Sequence, residues 1–263
     1  MRRRHLLELE DQPWFPATVR DLATDYLQFA QTATGLDRAM TPLIREALAA
    51  TGSTHIVDLC SGGSGPLTAV IEDLRREGIP ATATLTDLYP NVRAFERAAA
   101  LSNGAIDYIR TPVDATNVPP ELAGLRTVFN GFHHFRPLDA TAILADAVKA
   151  RQPIAIFEAS RRSLKTLIPV LFMPLFVWLS TPFMRPVTWK RLLFTYLIPL
   201  VPFTCLWDSV VSQLRAYTID ELHELSRAAG SMEWRAGAVP FTHGPGQLTY
   251  LIGWPSGLTR SAS

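Results

Sequence analysis

The most constraining feature of this 263-residue chain lies between His55 and Glu158, where short apolar, β-prone runs alternate with helical segments. His55–Leu59, Thr82–Thr86, Ile106–Val113, Thr127–Asn130 and Pro153–Glu158 read as strands. Helices fall between them at Leu67–Glu77, Val92–Leu101 and Ala140–Ala150, the last with Asp139 as its cap. Connections of that length join parallel strands by right-handed crossovers. Near the C-terminus the pattern changes. Glu233–Val239 and Gln247–Trp254 flank Thr242-His243-Gly244-Pro245-Gly246, which reads as an antiparallel hairpin. The expected fold is α/β: a seven-stranded, mostly parallel Rossmann-like sheet with helices on both faces and a terminal antiparallel hairpin. Residues 1–50 read as an N-terminal helical cap, with Leu22, Tyr26, Phe29 and Ala30 at helical spacing and Thr41-Pro42 opening a further helix. Residues 51–160 and 208–263 form the core, and 161–207 an apolar helical insert before the hairpin.

The first strand runs into Asp58-Leu59-Cys60-Ser61-Gly62-Gly63-Ser64-Gly65, a small-residue turn that lets backbone approach a ligand closely. A dinucleotide site sets a pyrophosphate at such a turn, where the helix N-terminus favours an anion. The Asp58 carboxylate repels that group and attracts an ammonium. Two more acids end the next strands: Asp87, followed by Leu88, and Asp114, followed by Ala115. A carboxylate at the first of these positions accepts from both hydroxyls of a ribose; at the second, from an adenine amine. Taken singly, each acid reads equally as a capping or surface group.

On these residues the chain resembles the class I S-adenosylmethionine-dependent methyltransferases, over about residues 51–160 and the terminal hairpin. The resemblance implies S-adenosyl-L-methionine as cofactor. It implies a binding site made of Asp58, Cys60, Ser61, Gly62, Ser64, Gly65, Asp87, Leu88, Asp114, Ala115 and Asn130. Cys60 and Ser64 depart from the pattern, which most often has glycine there. Methyl transfer needs alignment of the acceptor and exclusion of water, and a base only for weakly acidic acceptors. Candidate catalytic residues follow the fourth and fifth strands: Asn130, His133, His134 and Glu158, the last also within reach of Arg161 or Arg162. No ligand cluster of recognisable spacing points to a metal. A nicotinamide oxidoreductase would want the turn without Asp58, and a non-catalytic adenosylmethionine-binding protein is the other alternative.

The insert is the least ordinary stretch. Leu167–Met184 and Leu192–Trp207 carry no charge, and five prolines interrupt them. No acid occurs from Ala159 to Trp207, whereas Arg161, Arg162, Lys165, Arg185, Lys190 and Arg191 are basic. Lid, dimer face and membrane dock are the competing readings, and the charge bias favours a dock on anionic lipid. The expected acceptor is a hydrophobic small molecule or a lipid. Asp208, directly after the insert, reads as a helix start, and Thr218 to Glu221 as a capping box. A net charge of +1 gives no field for nucleic acid. Two cysteines make no disulfide framework, which with no signal-like N-terminal stretch points to the cytoplasm, with a peripheral place on the inner membrane face. Oligomeric state is left open.

Overall fold

The structure, a computed structural model, describes residues 1–63, 65–243 and 246–257. The chain divides into two compact units: residues 1–34 with 160–217, and residues 35–159 with 218–263.

The second unit holds the sheet. Its strands are β1 (His55–Asp58), β2 (Thr82–Leu85), β3 (Ile106–Tyr108), β4 (Leu125–Phe129), β5 (Ile154–Glu158), β6 (Glu233–Pro240) and β7 (Gln247–Trp254), in the order β3-β2-β1-β4-β5-β7-β6. β1 to β5 pair in parallel, and β7 runs antiparallel to both β5 and β6. The expected seven-stranded sheet with a terminal hairpin is therefore present. The hairpin's Gly244 and Pro245 lie outside the described residues. β1 and β4 are neighbours, so strand order reverses between them, and ligands of open α/β sheets bind outside the strand ends at such a point.

Helices α2 (Leu36–Thr51), α3 (Leu67–Arg76), α4 (Val92–Leu101), α5 (Pro137–Ala150) and α10 (Ile219–Ala229) belong to this unit. α2 corrects the proposed cap boundary at residue 50. Its Leu36, Met40, Ile44 and Leu48 join one core with Ile56, Leu74, Phe95, Phe157 and Ile252, so the helix packs with the sheet. It starts after Gly35, in the left-handed region at φ 63°, and runs through Pro42 instead of opening there. Burial of that apolar stripe outweighs the hydrogen bond a proline removes. Asp139 is not the cap of α5. The helix starts with Pro137, and Asp139 sits in the first turn, where a carboxylate meets the positive end of the helix. The capping box of α10 is formed as expected, with Thr218 accepting from the Glu221 amide and Glu221 from the Thr218 amide.

The first unit is helical: α1 (Ala17–Thr34), α6 (Leu164–Val170), α7 (Met173–Ser180), α8 (Trp189–Leu192) and α9 (Leu200–Arg215), with a π-helical turn at Leu193–Leu197. Val19, Leu22, Ala23 and Tyr26 of α1 pack with Val177, Met184, Val201 and Cys205. Residues 1–16 are not helical. They lie along α9, where Leu9 and Glu10 amides donate to Asp208 at 2.7 and 3.0 Å and the Trp207 indole to Leu7 O at 2.9 Å. Asp208 is thus inside α9 and holds the N-terminal segment; it does not open a helix. The insert extends through Tyr217 because α9 continues four turns past Leu200 without a break. Among the described residues no single helix is long and apolar enough to cross a membrane. Two bent pairs meet the length and composition needed: Leu164–Val170 with Met173–Phe183 at 46°, and Trp189–Leu197 with Leu200–Arg215 at 70°.

Candidate functional site

β1 is wholly buried from Ile56 onward, and its last residue, Asp58, is 1% exposed. Register places Asp58 opposite Thr127 of β4, and the Thr127 hydroxyl donates to Asp58 Oδ1 at 2.7 Å. Burial pushes the Asp58 carboxyl up to about 7; hydroxyls of Thr127 and Ser61 pull it down, and the Asp87 charge adds to the rise. Thr127 was missed in the sequence. The only signal for it is cross-strand register, which a single sequence does not display.

The turn after β1 then leaves the strand through left-handed backbone at Cys60, Gly62 and Gly65, with φ of 57°, 53° and 46°. Glycine suits that region; Cys60 occupies it with a side chain, which explains why glycine is the commoner residue there. Ser61 ties the turn down, its hydroxyl donating to Asp58 O at 2.9 Å and its amide to Thr86 O at 3.0 Å. The Cys60 thiol is held up by burial first and then by the charges of Asp87, Asp58 and Asp114, so it stays protonated and unreactive. Ser64 lies outside the described residues.

Asp87 links two loops: its Oδ2 accepts from the Gly62 amide at 2.9 Å and its Oδ1 from the Tyr89 amide at 2.8 Å. Each carboxylate oxygen has a second lone pair, so both can still accept from a diol. Leu88 beside it is exposed, and Ala115 is buried. Asp114 uses Oδ1 to accept from the amide and hydroxyl of Thr116, both at 2.8 Å. Asp58 ends β1 and Asp87 follows β2 by two residues, whereas β3 stops at Tyr108, short of the expected Val113, and Asp114 comes six residues later; the charges of all three reach Cys60 in the turn.

β4 ends at Asn130, again left-handed at φ 51°, a conformation asparagine tolerates better than most residues. Its Oδ1 accepts from the Ala159 amide at 2.8 Å, whereas Nδ2 is buried with no partner among the described residues. A buried, unpaired amide donor is costly, and a ligand acceptor at this point would satisfy it.

A 3₁₀ turn, Phe132–His134, follows. Glu158, at the end of the neighbouring β5, organises it. Oε1 accepts from the Phe132 and His133 amides at 2.7 and 3.1 Å, and the His133 ring donates from Nδ1 to Oε2 at 2.7 Å. A carboxylate only accepts, so the proton of a neutral His133 sits on Nδ1 and its lone pair on Nε2. His134 lies alongside, with ring centroids 4.4 Å apart. The structure thus brings Asn130, His133, His134 and Glu158 together, and gives Glu158 a definite partner across 25 residues of sequence.

No protein-family model matches the sequence, and no curated protein matches it in sequence. Solved structures match its fold. An S-adenosylmethionine-dependent methyltransferase, SibL, solved in its apo form, superposes with a TM-score of 0.53 over 94% of this chain and 60% of its own, at 14% identity. An O-methyltransferase from neocarzinostatin biosynthesis, solved with S-adenosylmethionine and 2-hydroxy-5-methyl naphthoic acid, gives 0.52 over 89% and 58%, at 16% identity. Human N-acetylserotonin methyltransferase, solved with S-adenosylmethionine, gives 0.51 over 90% and 55%, at 13% identity. The chain spans a little over half the length of these proteins. Its fold is that of the class I S-adenosylmethionine-dependent methyltransferases.

Proposed function

We propose that the protein is an S-adenosylmethionine-dependent methyltransferase acting on a hydrophobic or lipid-like acceptor, docked peripherally on a membrane. The observation that carries the reading is the ring of Asp58, Asp87 and Asp114 around a left-handed turn, with the unpaired Asn130 amide beside it. These residues fit the cofactor. Asp58 has the charge for its ammonium, Asp87 the two acceptors for its ribose and Asp114 an acceptor for its adenine amine, while Asn130 Nδ2 offers a donor. When bound, the cofactor supplies an electrophilic sulfonium methyl. A pyrophosphate would meet Asp58 and Asp87 at the same turn, which speaks against a nicotinamide enzyme.

His133 supports an enzyme over a mere binding protein. Glu158 fixes its ring and tautomer, so Nε2 can take the proton of an acidic acceptor group as the methyl is transferred, and Glu158 stabilises the imidazolium that results. The apolar segment 161–207 of the other unit, free of acids and with Lys165, Arg185 and Lys190 exposed along it, supports a hydrophobic acceptor and an anionic membrane surface.

Calorimetry tests the cofactor assignment. Adenosylmethionine is expected to bind in the micromolar range, and Asp87→Ala to weaken it by about 1.5–3 kcal/mol, the scale of lost charge-assisted hydrogen bonds. Tight NADH binding without adenosylmethionine binding overturns the assignment.

A further inference from the structure

The helical unit contains an apolar cavity of about 530 Å³. Its walls come from Leu9 and Phe15 of the N-terminal segment, Leu171 between α6 and α7, and one face of α9 carrying Leu200, Phe203 and Trp207. Thr204 and Trp207 are the lining residues with polar side-chain groups, and the Trp207 indole N–H is already bonded to Leu7 O. The volume falls in the range of ligand sites, roughly 300–1,000 Å³.

Two observations bear on what it takes. First, the wall is fastened from behind. Asp208 accepts from the Leu9 and Glu10 amides, and the Trp207 indole donates to Leu7 O, so polar bonds hold the N-terminal segment against α9. Second, four lining residues are also surface residues: Leu171 is 59% exposed, Leu200 44%, Phe203 55% and Trp207 46%. The cavity therefore opens at the surface next to exposed Ile168, Phe172 and Leu175, which flank Leu171 in the acid-free segment 161–207. Lys165 is exposed less than two turns before Leu171 on α6, a cation for a headgroup beside the mouth.

We infer that this cavity takes a single hydrocarbon chain of an anionic membrane lipid, drawn in from the bilayer on which the face rests. The inference rests on the membrane-docking part of the proposed function and not on the methyltransferase part.

The test uses the whole protein with anionic phosphatidylglycerol vesicles containing a phospholipid that carries a photoreactive diazirine near its chain end. Illumination and mass spectrometry then locate the crosslinks. They are expected on Leu9, on Phe203 and on Val210, which also lines the cavity from α9. Val210→Trp, which fills the space, is expected to cut them at least tenfold while vesicle sedimentation stays unchanged. Leu171→Trp at the exposed mouth is a second obstruction that does not disturb a packed core, and should act the same way. Crosslinks confined to exposed Leu179, Phe183 and Trp189 overturn the inference, as do cavity crosslinks indifferent to both variants. A stable dimer in solution that neither pellets nor crosslinks overturns it as well, and assigns the face to a second copy. Adenosylmethionine is absent from every arm, so failure here is distinct from failure of the methyltransferase reading.

Discussion

In the sheet unit Phe95, Phe132 and Phe157 are sealed from water, whereas in the helical unit Phe172, Phe176, Phe183 and Phe203 are at least half exposed. The same residue type has opposite surroundings because the two units close differently. The sheet has helices to cover it, so alternation of strand and helix produces one continuous core. In the helical unit only Val177 of α7, Met184, and Val201 and Cys205 of α9 are buried in a small core shared with α1, and α6 buries none of its own residues. Exposed apolar residues in this number support the interaction face proposed for this unit. The proposed chemistry requires fixed geometry and is assigned to the sheet unit; the helical unit offers surface.

If the comparison holds, the largest effects of substitution come at the sheet ends. Either His133→Gln or Glu158→Gln is expected to slow methyl transfer by about 10²–10⁴ while adenosylmethionine binding is kept. Glutamine at 158 still accepts from the Phe132 and His133 amides, but its NH₂ cannot accept from His133 Nδ1 and favours the wrong tautomer. Label passing from methyl-labelled adenosylmethionine into a lipid extract measures the loss. Near-full turnover in both variants would leave alignment alone as the catalytic device.

The contrast also explains what was legible in the sequence. Strand positions, the hairpin, the capping box and the three acids at or after the ends of β1, β2 and β3 follow from local signals: period, turn residues and spacing. Such signals suffice where one face of a short element meets one core. The Asp58–Thr127 and Glu158–His133 bonds were not legible, since each joins residues 69 and 25 apart through strand register. The placement of α2 was hidden for a similar reason: Pro42 is a strong local signal, and packing on the sheet overrode it. In the helical unit, composition displayed an apolar, acid-free segment but said nothing of Asp208 holding the N-terminal segment or of the cavity beside it.

An intermediate effect concerns pH in the sheet unit. The Asp58 carboxyl keeps its proton up to about pH 7, against 3.8 when solvated. Its folded pKa is raised, so the folded state binds more protons between those values. Its contribution to stability is full below pH 3.8 and is lost as pH rises to about 7. Asp58→Asn is expected to remove that slope, a difference of a few kcal/mol at most, and to leave the ligand-free protein more stable than the parent at pH 8. The cofactor's ammonium favours the ionised carboxylate. Binding near pH 6 should therefore release a proton, read as a binding enthalpy that varies with the buffer, and affinity should be higher at pH 8. Binding without proton release would move Asp58 out of contact with the ammonium.

The smallest expected effect on stability is the sharpest test of the other region. Phe176 and Trp178 are both on α7, half and two-fifths exposed, and α7 buries only Val177. Phe176→Ser should change unfolding free energy by no more than about 0.5 kcal/mol, as surface substitutions do. Trp178→Ser loses a little more, because its indole donates to Thr195 O at 2.8 Å. In the sheet unit, Phe157→Ala is expected to cost about 3–5 kcal/mol. Yet the double variant on α7 should decide where the protein goes. The parent is expected to pellet with anionic vesicles, each Lys or Arg near the surface adding about 1 kcal/mol. High salt should weaken the association without abolishing it, since apolar insertion is not screened. Phe176→Ser with Trp178→Ser should then leave the protein in the supernatant with its adenosylmethionine affinity intact. If the pair instead unfolds the protein like a core variant, these side chains are structural and the contrast between the two units fails. If the folded parent never pellets, with any vesicle composition, the exposed face belongs to a lid or a second copy.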